Sequence, residues 1–90
     1  MTEQFWRSSG ESTVMTLADL PHGGTAVVRG YTDGPITRRR FIEMGLVPGT
    51  RVTRLRTAPL GDPVQYAVFG SRFSLRRRDA AFLVVEEVDR

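Results

Sequence analysis

The stretch that decides the fold is TRRRFIEMGLVPGTRV, residues 37–52. Three arginines lead into an apolar run that stops at Gly45, passes Pro48 and Gly49, and resumes with a different period. Proline is favoured at the first position of a helix, and glycine is an acceptable residue just before it. Gly34-Pro35 therefore opens a short helix over Ile36–Met44. Phe41, Ile42 and Met44 place the buried stripe in its last turn, behind Arg38, Arg39 and Arg40. Gly45 supplies the left-handed residue that ends it, Leu46 is set to fold back onto Phe41, and Pro48 prevents resumption.

Working outward, Thr25–Thr32 is β-branched and aromatic, and Gly30 within it predicts a bulge or sharp bend. Beyond Gly49, residues 50–59 read as a strand with Val52 and Leu55 out of alternation, implying a twist or bulge between them. Residues 58–63 form a turn bounded by Pro59 and Pro63. Val64–Phe69 and Arg72–Leu75 alternate cleanly around Gly70-Ser71 and read as a hairpin. Arg76–Ala81 fits one helical turn. A last strand, Phe82–Val88, begins with a continuous apolar run that predicts burial on both sides. Residues 1–13 lack a sustained period and read as a flexible extension, leaving residues 14–90 as one domain. The fold class expected is mainly β: a small barrel of about five strands with one short helix inserted after the first.

Composition excludes more than it assigns. The 90 residues contain no cysteine, so disulfides, thiolate metal sites and cysteine nucleophiles are ruled out. A single histidine, His22, leaves no histidine cluster or relay, and the carboxylates show no paired helical spacing, so no catalytic residues and no cofactor are expected. Asp19 and Asp33 are the only nearby helpers for His22, an inadequate set for a tight metal site, though carboxylate oxygens suit a weak Fe(II) contact. Glycine-bearing turns at residues 23–24 and 60–63 match no nucleotide fingerprint. No apolar run approaches the roughly 20 residues of a membrane span, and the first residues do not resemble a secretory signal, so the cytoplasm is the expected location.

The net charge is +3, and all 13 basic residues are arginine. Guanidinium groups recognise carboxylates and phosphates in bidentate fashion. Arg38–Arg40 and Arg76–Arg78 are thus either partner-steering patches or solvated faces. Leu46, Val47 and Pro48 either pack behind the helix end or form an apolar anchor for a partner. Phe69 and Phe73, flanking the hairpin turn, are expected to pack in the core or along an edge, with exposure of one of them as the alternative.

Three ordered motifs then carry a resemblance: Arg38 through Phe41, Met44, Gly45, Leu46, Pro48 and Gly49; residues 58–63; and Gly70 followed by Leu75, Arg76, Arg77 and Ala80. Over residues 15–88 the chain resembles the FeoA family of small bacterial proteins. The resemblance implies an SH3-like barrel, akin to the C-terminal domain of diphtheria toxin repressor-like regulators. It also implies a cytosolic accessory to FeoB, the ferrous iron permease with a GTPase domain. Arg54 departs from the aliphatic residue expected at its strand position. The residues expected to meet the partner are Arg38, Arg39, Arg40, Leu46, Val47, Pro48, Arg76 and Arg77. The competing readings are a stand-alone metal-sensing domain and a nucleic-acid-binding barrel; too few aromatics fall on one face for base stacking, so no nucleic acid is expected.

Overall fold

The computed structural model describes residues 13–57 and 59–88. The elements run β1 (Thr13–Thr16), a 3-10 turn (Leu17–Asp19), β2 (Thr25–Tyr31), α1 (Pro35–Glu43), β3 (Arg51–Thr57), β4 (Val64–Val68), β5 (Ser71–Leu75), α2 (Arg77–Ala80) and β6 (Leu83–Glu87). The strands form one antiparallel sheet in the order β1-β6-β2-β3-β4-β5. Its concave side encloses a core built around Tyr66, Leu17, Leu20, Leu46 and Leu83, with alternate residues of β2, β3, β4 and β6 pointing inward. The expected extension over residues 1–13 lies outside the described residues except for Thr13, which starts β1.

The helix ends as its residues require. Gly45 adopts φ 89°. Its amide donates to the Ile42 carbonyl and the Leu46 amide to the Phe41 carbonyl, both at 2.9 Å, the paired bonds of a Schellman ending. At the other end Gly34, at φ 77°, precedes Pro35, and the Thr37 hydroxyl donates to the Asp33 carboxylate at 2.8 Å. The loop after Leu46 is sewn to β2: the Gly49 amide donates to the Val28 carbonyl and the Val28 amide to the Thr50 carbonyl, both at 2.8 Å. Tyr31 closes the assembly, stacking on Phe41 with ring centres 6.0 Å apart and donating its hydroxyl to the Leu46 carbonyl at 2.6 Å.

Several expectations are refined. A sixth strand, β1, occupies the sheet end beside β6, so α1 follows the second strand. Gly30 coincides with a register shift against β6, as its lack of a side chain predicts. The irregularity in β3 falls between Arg54 and Thr57, two residues later than the alternation of Val52 and Leu55 suggests. The hairpin turn is Phe69-Gly70, because Ser71 already pairs with Val68. Both turn residues have positive φ, 51° and 82°, matching the right-handed twist of the flanking strands. β6 is bordered by β1 and β2 along both edges but has one core face: Leu83 and Val85 are buried and Val84 is only half-buried. In α1, Phe41 alone is buried; Ile42 and Met44 are exposed, since the short helix turns only one narrow side to the core.

Candidate functional site

Successive residues of a helix point about 100° apart, so an arginine triplet cannot form one patch. Arg38 lies near the Tyr31 hydroxyl. Arg39 turns outward and reaches Glu43 at 3.5 Å, an exposed pair of little energetic weight. Arg40 shares a side of the helix with Thr37, Phe41 and Met44, and that side faces α2 across a cleft of about 140 Å³. Phe41, Leu75 and Phe82 form the apolar floor, while Asp33, Arg40 and Asp79 supply charge at the rim. Past Met44, Leu75 and Asp79 the cleft opens into a shallower groove edged by Arg40, Arg76 and Pro63. One member of each arginine triplet is thereby brought to the same groove, across 36 residues of sequence.

The remaining expected residues separate. Val47 and Pro48 are exposed on the loop behind α1, whereas Leu46 is fully buried. Leu46 is therefore corrected from a surface anchor to a core residue: the Schellman bonds turn it under Phe41. Arg77 lies at the start of α2, its backbone amide donating to the Asp62 carboxylate at 2.8 Å. Phe69 is exposed, while Phe73 is half-buried and stacks on Tyr66 at 5.7 Å. Asp79 and Met44 join the cleft without having been among the expected partner residues, and Asp33 lies there rather than beside His22. Helical spacing from Arg40 would have found Met44, but the approach of Asp79 depends on the fold.

Arg54 is half-buried and replaces aliphatic packing by hydrogen bonds, donating to the Leu20 carbonyl at 2.7 Å and the Thr57 hydroxyl at 2.8 Å. Its Nε is buried without a hydrogen-bond partner. With the Gly23 and Gly24 backbone bonds to the same residue, it pins the turn that carries His22 to β3. His22 and Asp33 end in different places, the first beside Arg54 and the second in the α1–α2 cleft. The Asp19 carboxylate accepts from the Thr16 hydroxyl at 3.1 Å. Among the described residues no three His, Cys, Asp or Glu side chains come together as a cation cage. No helix among them is long and apolar enough to cross a membrane.

Burial raises the pKa of Tyr66, a shift opposed by Arg54 and Arg77 and reinforced by Asp62. Burial also raises that of Tyr31, opposed by Arg38. A phenol whose folded pKa exceeds its unfolded value of 10.0 contributes stability that is fully present below pH 10 and is lost as pH rises through the folded value. Thermal midpoints are therefore expected to fall above pH 10 and to fall less steeply in Tyr66→Phe. Equal slopes in a melting series across pH 9–11 would contradict this.

The family profile of the FeoA domain matches residues 15–87. The chain belongs to the FeoA family. It is 42% identical over 72 residues to the Fe(2+) transport protein A/Fe(2+) transporter FeoB fusion protein of Porphyromonas gingivalis, a match covering 80% of this chain and 8% of that one. FeoA of Stenotrophomonas maltophilia, a prokaryotic SH3 domain protein solved in complex with zinc, superposes with a TM-score of 0.69 at 36% identity, covering 79% of this chain and 88% of that one. The fold is accordingly SH3-like, as the family resemblance implies. A manganese-dependent transcriptional repressor shares the fold at 20% identity, with a TM-score of 0.74 over 83% of this chain and 37% of the repressor.

Proposed function

We propose that this FeoA-family chain is a non-catalytic cytoplasmic accessory of ferrous iron uptake that binds a FeoB-type permease and modulates its GTPase. The observation that carries the reading is the P. gingivalis relative, in which a homologous segment is joined to the transporter in one polypeptide. Covalent fusion holds two modules at high effective concentration, and a separate module needs a docking surface to achieve the same end. The α1–α2 groove suits that role. Its apolar floor accepts a side chain, and Arg40 and Arg76 attract carboxylates at its edge.

The test is direct: titrate the chain against the cytosolic portion of the cognate permease, and measure GTP turnover and cellular iron uptake with and without it. Saturable binding with altered turnover or uptake is the expected result. No binding together with no change in either would remove the proposal.

A further inference from the structure

The outward face of β3, β4 and β5 carries a second groove that shares no lining residue with the α1–α2 cleft. Val64, Tyr66 and Val68 point into the core, so Gln65 and Ala67 face outward, and pairing sets Ser74 and Arg72 beside them. The register shift in β3 leaves Arg56 exposed alongside. The groove, about 710 Å³, is lined by Arg54, Arg56, Arg72, Gln65 and His22 and by no carboxylate. Its continuation past Gln65 to Pro59 and Pro63 is equally free of acidic side chains and meets the shallower extension of the α1–α2 cleft only at Pro63 and Ser74. Among the described residues neither Arg56 nor Arg72 has a carboxylate within ion-pair distance, in contrast to Arg29, which meets Glu86 at 2.7 Å. Uncompensated guanidinium groups around a concavity select anionic oxygens, phosphate above all.

Two exposed apolar side chains beyond the ends of β4 bear on the source of those phosphates. Phe69, at one end of β4, is 87% exposed, and Leu60, in the turn before β4, is 96% exposed. Phe69 also sits in left-handed backbone at φ 51°, which a bulky residue rarely adopts and which asparagine or glycine would occupy with less strain. Neither packing nor turn geometry accounts for an aromatic there. A free phosphate ligand would leave both apolar tips in water, whereas a bilayer surface takes cations at its headgroups and apolar side chains just beneath them. We infer that the outward face of β3–β5 docks on anionic lipid headgroups, with Arg56 and Arg72 on the phosphates and Phe69 entering the interfacial layer. This site does not depend on the partner assigned to the α1–α2 groove.

The test is co-sedimentation of the full chain with vesicles of phosphatidylcholine alone or mixed with phosphatidylglycerol. Binding to the anionic vesicles only, weakening with salt, is expected. Each arginine near a charged surface contributes about fivefold, so Arg56→Gln with Arg72→Gln should reduce partitioning by roughly 25-fold. Phe69→Asn should weaken vesicle binding while raising the thermal midpoint, opposite movements that unfolding cannot produce. Equal binding to both vesicle types, or unchanged binding by the double variant, overturns the proposal. So does competition by inorganic pyrophosphate or a single-stranded oligonucleotide that binds more tightly than the vesicles at physiological salt, since the groove would then serve a soluble anion or a nucleic acid.

Discussion

Leu46→Ala is expected to lower the free energy of unfolding by about 3 kcal/mol, the middle of the range for emptying a fully buried leucine site. Leu46 is completely buried and belongs to the same core as Phe41 and Tyr66. Its carbonyl also receives the Tyr31 hydroxyl, and its amide closes the Schellman pair. The backbone bonds survive truncation to alanine, so the site cannot collapse easily and the cavity persists. Urea denaturation of Leu46→Ala and Val47→Ala provides the check. The second removes an exposed side chain and should cost less than about 0.5 kcal/mol. Similar losses in both would mean that Leu46 is not the core residue described.

The second large effect concerns recognition. Replacing both Arg40 and Arg76 by glutamate should weaken binding to the cytosolic portion of a FeoB-type permease on the order of thirtyfold or more at moderate salt, mostly through attraction lost at the groove edge. Both side chains are exposed, so the melting temperature should hold. Arg39→Gln is the matched control: it removes a charge from the same triplet but outside the groove, and its effect should stay within about threefold. Calorimetric titration of the three proteins separates the possibilities. Equal affinity for wild type and the double variant would move the docking surface elsewhere, even if the partner were correct.

How much of this was legible depends on how local each signal is. Gly45, Leu46 and Pro48 act within a few residues of one another, and their pattern describes the helix ending that forms. The alternation of Val64–Val68 likewise survives intact, because one face of β4 meets the core and the other does not. β1 is not legible because Thr13–Thr16 is too short to show a period; it exists through pairing with residues 84–87. The exposure of Ile42 and Met44 is illegible for a related reason. Helical spacing shows that Met44 shares a side with Phe41, but only the fold shows that this side borders an open cleft.

The candidate surfaces were less legible than the scaffold. Runs such as Arg38–Arg40 draw attention in a sequence, yet helix geometry scatters their side chains. Arg56 and Arg72 stand alone in sequence and gather beside Gln65 only through strand pairing and the β3 irregularity. Arg54 reversed the usual expectation for its place: a strand position suited to an aliphatic residue holds a guanidinium that ties down the turn bearing His22.

The place of β6 has a consequence for biosynthesis. The strand translated last lies between the two translated first. Until residues 83–87 emerge from the ribosome, β1 has no strand to pair with and one edge of β2 stays open, so the sheet is completed only when its last-made strand slots between the two made first.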